Sequence, residues 1–178
     1  MMNILALIGS PRIGGNTDVI VDQILKGSKS KGHMAEKLYL YDYDIMPCID
    51  CRRCKNENNT CALKDDMPSI YRKLHDADLI IFGTPVYWYG PSAKMKLLID
   101  RLRPFIDSKG LKSKKGILVV PSEEGKDCCG PLMEMIRMSF SYLGMEFSGS
   151  ILAKAYERGE IKGNLDEMTR AYEMGLSF

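Results

Sequence analysis

The sequence predicts an α/β domain built on a doubly wound parallel sheet, and three observations carry that expectation. Residues 4–8, 79–82 and 117–120 are continuous apolar runs of strand length, the pattern of strands buried on both faces of a parallel sheet. Stretches of helical periodicity separate them, so that strand and helix alternate along the 178 residues. No internal repeat or linker interrupts the alternation. One domain spanning 1–178 is therefore expected, and its 45% hydrophobic content is enough to bury a core.

The elements follow in order. Residues 4–8 form the first strand, and Ile20, Val21, Ile24 and Leu25 mark the apolar stripe of the first helix. Lys37, Leu38, Tyr39 and Leu40 are more mixed and read as a flanking strand. Residues 41–64 form one long irregular segment, of a kind that is usually functional inside a compact domain. Asp65 and Asp66 precede Met67 and Pro68 and a helical pattern, as capping residues do. After the central strand at 79–82, Met95, Leu98, Leu102 and Phe105 lie at helical spacing, as do Leu132, Met135, Ile136 and Leu143 after the strand at 117–120. Residues 150–153 read as a second flanking strand. Residues 164–176 supply the last helix, capped by Asn164, with Leu165, Met168 and Tyr172 on one face. Such an alternation gives an open sheet of flavodoxin-like or Rossmann-like order, with helices on both faces and right-handed crossovers.

Composition removes several classes of function. Lys plus Arg number 25 against 23 Asp plus Glu, so no global field calls for nucleic acid or a membrane surface. The amino terminus lacks a basic n-region and a cleavage pattern, and no apolar run approaches a membrane span. A cytoplasmic location is expected, where thiols stay reduced, and the six cysteines then argue for metal or redox chemistry. Neither a G-x-S-x-G turn nor a His paired with a nucleophile occurs, so no catalytic side chain is assigned and the chemistry must come from cofactors. His33 and His75 are isolated and read as ordinary surface or packing residues. Cys128 and Cys129 precede a helix at Gly130 and Pro131, where a helix start can lower a thiol pKa, although small buried hydrophobes are the plainer reading.

Three segments carry chemistry. The first, GSPRIGGNT at 9–17, joins the first strand to a helix and is an anion cradle. Helix-start amides favour a phosphate, Gly15 lets the backbone approach closely, and Ser10, Asn16 and Thr17 offer side-chain hydrogen bonds beside the charge of Arg12. Its spacing fails both G-x-x-x-x-G-K-[ST] and G-x-G-x-x-G, which disfavours nucleoside triphosphates and dinucleotides and leaves one terminal phosphate, as on FMN. The alternative is a turn merely capped by Asn16 or Thr17. The second segment follows the central strand and holds Pro85, Val86, Tyr87, Trp88 and Tyr89, including the single Trp of the chain. In open α/β sheets it faces the same crevice as the first loop, and its rings and amides suit a flat isoalloxazine. The third is Cys48, Cys51, Cys54 and Cys61 within fourteen residues, in an insertion at about 46–64. Four thiols suit zinc or an iron-sulfur cluster, and the C-x2-C-x2-C run favours iron and sulfur, with Cys61 as the fourth ligand.

These segments, GSPRIGGNT at 9–17, CIDCRRCKNENNTCALKDDM at 48–67 and GTPVYWYGPSAKMKLLIDR at 83–101, resemble the NADPH-dependent FMN reductase superfamily and, within it, the iron-sulfur flavoproteins. The resemblance implies a flavodoxin-like five-stranded parallel sheet of order 2-1-3-4-5. It implies that Ser10, Arg12, Asn16 and Thr17 bind the FMN phosphate, that Pro85, Val86, Tyr87 and Trp88 line the flavin, and that Cys48, Cys51, Cys54 and Cys61 hold a four-iron four-sulfur (4Fe-4S) cluster. A third flavin loop is expected around Pro121, Ser122, Glu123, Glu124 and Gly125. Kinship alone implies NAD(P)H as electron donor, small-molecule or ferredoxin-like protein partners, and a homodimer or homotetramer. In the 2-1-3 strand order the cysteine loop and the flavin loop leave the sheet two strands apart, roughly 10 Å, close enough for electron transfer. The expected function is transfer of electrons between the cluster and FMN. A flavin or quinone reductase whose cysteine loop is structural, and a zinc-bound binding module, are the alternatives.

Overall fold

The computed structural model describes residues 1–55 and 59–178. The chain runs β1 (Asn3–Ile8), α1 (Asn16–Ser30), β2 (Met34–Tyr39), α2 (Met67–Asp76), β3 (Leu79–Gly83), a hairpin of β4 (Val86–Tyr87) and β5 (Gly90–Pro91), α3 (Ala93–Asp100), α4 (Pro104–Ser108), β6 (Lys115–Ser122), α5 (Gly130–Leu143), β7 (Glu146–Lys154) and α6 (Leu165–Leu176). The main sheet is parallel, in the order β2-β1-β3-β6-β7. Counting only its strands, this is the flavodoxin-like order 2-1-3-4-5, which decides between the two open-sheet topologies.

The apolar runs owe their continuity to two cores. Leu5 and Leu7, Ile80 and Phe82, and Leu118 and Val120 point to one face, where α2, α3, α4 and α5 supply Ile70, Leu98, Phe105 and Ile136. Ile4, Ala6 and Ile8, Leu79 and Ile81, and Ile117 and Val119 point to the other, against Ile20 and Ile24 of α1 and Ala171 of α6. Period-two alternation thus splits each strand between both cores. On the second face α1 and α6 approach closely: a Cβ on Gly175 would collide with the Ile24 carbonyl oxygen, and Ser28 donates to the carbonyls of Ile24 and Gly175 at 3.0 and 3.1 Å.

Several local expectations need correction. The stripe from Met95 to Phe105 is two helices, because Pro104 has no amide hydrogen to continue the α3 ladder and instead opens α4 as an N-terminal proline. The strands at 117–120 and 150–153 extend to Lys115–Ser122 and Glu146–Lys154. Asn164 caps α6 by accepting from the Glu167 amide, but Leu165 is 75% exposed, and Ala171 and Gly175 are the buried packing positions. Gly15 is the N-cap of α1, with no side-chain cap from Asn16 or Thr17. His75 is exposed as expected, while His33 accepts from the Met2 amide at 3.2 Å. Among the described residues no helix is long and apolar enough to cross a membrane.

Candidate functional site

A cleft of about 420 Å³ opens at the carboxyl edge of the sheet, a volume typical of small-molecule sites. The loop after β1 brings Ser10, Arg12, Asn16 and Thr17 to it, the loop after β3 brings Pro85, Val86, Tyr87, Trp88 and Tyr89, and the loop after β6 brings Pro121, Ser122, Glu123 and Glu124. Three loops singled out from the sequence therefore converge on one cavity. Gly15 is not among the lining residues; it lies against Arg12, where a Cβ would stand 2.8 Å from the Arg12 carbonyl oxygen.

The first loop is rigidly strapped. Gly14, at φ +71°, donates its amide to Asp18 at 2.7 Å, and Asp18 also accepts from Lys37 at 2.6 Å and from the Tyr39 hydroxyl at 3.0 Å. Burial pushes the Asp18 carboxyl up, but the hydrogen bonds from Lys37, Gly14 and Tyr39 outweigh it and hold the group below the usual carboxylate range. Arg12 and Gly15 amides close turns onto the Ser10 hydroxyl and the Arg12 carbonyl. The amides of Asn16, Thr17 and Asp18 open the fifteen-residue α1 with no acceptor among the described residues. They are the orphan donors that an anion satisfies. The hydroxyls of Ser10 and Thr17 are buried beside them.

Asn16, expected at the phosphate, engages both polar atoms of its side chain elsewhere. Its side chain donates to the Glu157 carbonyl at 2.8 Å and accepts from the Ile161 amide at 3.2 Å, while Arg158 donates to the Ile13 carbonyl at 2.5 Å. The segment after β7 thereby clasps the first loop, and Ala155 and Tyr156 join the cleft lining. Sequence reasoning missed this wall, although the rule that ligands bind beyond the carboxyl ends of strands pointed to it.

The aromatic segment is a β-hairpin whose two turn residues, Trp88 at φ +51° and Tyr89 at φ +61°, both take left-handed backbone. Asn and Gly usually occupy such positions, so the ring-bearing tip is strained. Trp88 is 97% exposed. On the opposite side, the Ser122 hydroxyl donates to the Gly125 carbonyl at 2.7 Å. Cys128 lines the cleft, and Cys129 is fully buried, where burial pushes its thiol pKa up, opposite to the lowering that a helix start can give.

The cysteine loop packs against the α3–α4 junction. Cys48 and Cys51 are exposed, Cys54 is buried and Cys61 is half-buried. Asp50 and Arg52, which flank Cys51, both have left-handed backbone, at φ +48° and +59°. Among the described residues no three His, Cys, Asp or Glu side chains converge as a metal site. Burial is the main cause that pushes the Cys54 thiol pKa up, neighbouring Cys61 adds to it, and the Arg103 guanidinium opposes it. A soft, four-thiol donor set with cationic neighbours fits iron-sulfur or zinc chemistry.

Both ends of the loop are tied to one cation that the sequence did not reveal. Arg101 and Asp65 form an ion pair at 2.5 Å with side chains 1% and 0% exposed. Asp65 also accepts from the Met67 amide at 3.1 Å, whereas Asp66 is the N-cap residue of α2 but makes no side-chain cap and accepts instead from the Asp44 amide. Burial pushes the Asp65 carboxyl up, yet hydrogen bonds from Arg101, Met46 and Met67 hold it below the ordinary range.

The model for the NADPH-dependent FMN reductase family matches residues 2–153. An iron-sulfur flavoprotein of Methanocaldococcus jannaschii is 40% identical over 115 residues, which cover 65% of this chain and 59% of that one. A putative NAD(P)H-dependent FMN-containing oxidoreductase of Bacillus subtilis, YwqN, is 33% identical over 168 residues, 90% of this chain and 89% of the other. The chain thus spans under two-thirds of the first relative and most of the second. A solved structure titled Trp repressor binding protein, from Bacillus subtilis, superposes with a TM-score of 0.74 at 27% identity, covering 96% of this chain and 98% of that one. By the family match over most of its length, the chain belongs to the NADPH-dependent FMN reductase family.

Proposed function

We propose that the chain is a flavin-dependent oxidoreductase that binds FMN in the carboxyl-edge cleft and holds a 4Fe-4S cluster on Cys48, Cys51, Cys54 and Cys61. The observation that carries the first part is the set of amides at the start of α1 with no acceptor among the described residues, beside the buried Ser10 and Thr17 and on one cavity with the hairpin aromatics. When bound, FMN supplies exchange of one or two electrons, and a cluster supplies single electrons.

The chain's own groups divide the remaining work. Helix-start amides and Arg12 meet the phosphate. Pro85, Val86, Tyr87 and Trp88 on one side, and Ser122 with its neighbours on the other, bracket the ring and exclude water. Asp18 and Asn16 hold the phosphate loop in its binding shape before any ligand arrives. NAD(P)H or a ferredoxin-like protein serves as donor or acceptor, and a homodimer or homotetramer is the expected assembly. For the cluster, support comes from the four-thiol donor set and from the name of the Methanocaldococcus jannaschii relative.

A second reading, an NAD(P)H-dependent FMN or quinone reductase with a structural cysteine loop, has its own support: the Bacillus subtilis relative matches over 89% of its length, and the thiols do not form one shell among the described residues. Anaerobic purification followed by visible spectroscopy and assay of FMN, iron, acid-labile sulfide and zinc separates the two. FMN with about four iron and four sulfide per chain is expected for the cluster-bearing protein. FMN alone would leave the reductase, and zinc without FMN would overturn both.

A further inference from the structure

We infer that Arg101, locked in place by Asp65, is a positioning residue for Cys61: its guanidinium donates a charged hydrogen bond to the Cys61 sulfur, holds that ligand at the closing end of the loop, and raises the reduction potential of the cluster. This rests on the cluster reading proposed above.

The geometry is specific. Arg101 Nη1 donates to Asp65 Oδ2 at 2.5 Å and Nη2 to Asp65 Oδ1 at 3.2 Å, a two-pronged pairing that fixes the plane of the guanidinium. Nη1 also donates to the Met46 carbonyl at 2.7 Å, just before Cys48, and Nη2 donates to Cys61 Sγ at 3.3 Å. Asp65 in turn accepts from the amides of Met46 at 3.0 Å and Met67 at 3.1 Å. The Tyr71 hydroxyl pins the Arg101 backbone carbonyl at 2.7 Å. One buried cation therefore joins the entrance of the cysteine loop, its exit and the end of α3.

Fold stability does not account for such a device. Replacing a buried ion pair with well-packed apolar residues is often neutral or stabilising, so burying Arg101 and Asp65 calls for another use. Three of the guanidinium's acceptors are ordinary oxygen atoms, and the fourth is the sulfur of a candidate ligand. A cationic N–H on a ligating sulfur withdraws electron density and favours the reduced cluster, which carries one more negative charge. Arg103 differs: it is one-third exposed and pairs with Asp50 on the surface at 2.8 Å, so water screens it.

The test is Arg101→Lys, which keeps the positive charge against Asp65 but lacks the planar fork that reaches Cys61. Anaerobically purified wild type and variant are compared by iron and sulfide content, by a potentiometric titration of the cluster followed by electron paramagnetic resonance, and by the rate of iron loss to a chelator, with FMN content as internal control. A shift of the cluster to more negative potential, several-fold faster iron loss and unchanged FMN content are expected. Should Arg101→Lys fail to fold, the double variant Asp65→Asn with Arg101→Gln removes both buried charges together and is expected to shift the potential in the same direction. Unchanged potential and unchanged iron loss in a loaded, folded variant would overturn this role alone. A wild type lacking iron and sulfide would overturn it together with the cluster reading.

Discussion

The phosphate loop and the cysteine loop leave neighbouring strands of one sheet, yet they are held in opposite ways. In the first, residues 9–17 are tied by Asp18 and by the segment after β7, and the amides that open α1 have no acceptor among the described residues. In the second, the ends are fixed at Arg101, Asp65 and Asp66, while Cys48 and Cys51 stand exposed and the left-handed Asp50 and Arg52 flank Cys51. A backbone-built site is preorganised by the chain itself, whereas a thiol site draws much of its order from the ion it binds.

Variants that injure one loop and spare the other sharpen this contrast. The largest effect belongs to Asp65→Ala, which leaves the buried Arg101 guanidinium uncompensated and is expected to cost about 3–5 kcal/mol in denaturant unfolding. A loss below about 1 kcal/mol would show that the pair is not buried in solution. Next come two complementary changes. Gly15→Val forces a side chain into the Arg12 backbone and should weaken FMN binding at least about tenfold, roughly 1.4 kcal/mol, while leaving cluster content intact. Cys51→Ala should abolish cluster content and leave FMN affinity unchanged. If each variant damages both cofactors, the loops are one site and the contrast fails.

Asn16→Ala removes two hydrogen bonds to the segment after β7 and is expected to cost about 1–2 kcal/mol in thermal or denaturant unfolding. The acid limb is the gentlest probe. Asp18 and Asp65 both titrate below the ordinary carboxylate value of about 3.9, so the unfolded chain binds more protons there. The stability they contribute is present above that value and is lost as the pH falls through their folded pKa values. Asp18→Asn should therefore flatten the fall of unfolding free energy below about pH 4, and an unchanged slope would contradict the assigned ionisation.

The sheet was legible because strands buried on both faces write themselves as unbroken apolar runs, and the turn after β1 because its glycines mark a tight passage from strand to helix. The hairpin was not, since Trp88 and Tyr89 stand where a turn would normally show Asn and Gly. Nor was the Arg101–Asp65 pair, whose partners are 36 residues apart and of types that almost never lie fully buried. The break between α3 and α4 had its signal in Pro104, overridden by the regular apolar spacing around it. Of the four cysteines, spacing suggested a common centre, while their arrangement depends on three-dimensional closure that spacing does not specify.

The central claim, a phosphorylated flavin anchored at the start of α1 beneath the hairpin, can be tested with the chain's single Trp. Trp88 is exposed at the cleft, so its emission reports occupancy directly. Titrating flavin-free protein with FMN should quench Trp88 fluorescence to saturation at one equivalent, and riboflavin, which lacks the phosphate, should bind at least about tenfold more weakly. Equal affinity for the two flavins, or saturation by FMN without quenching, would contradict the assignment.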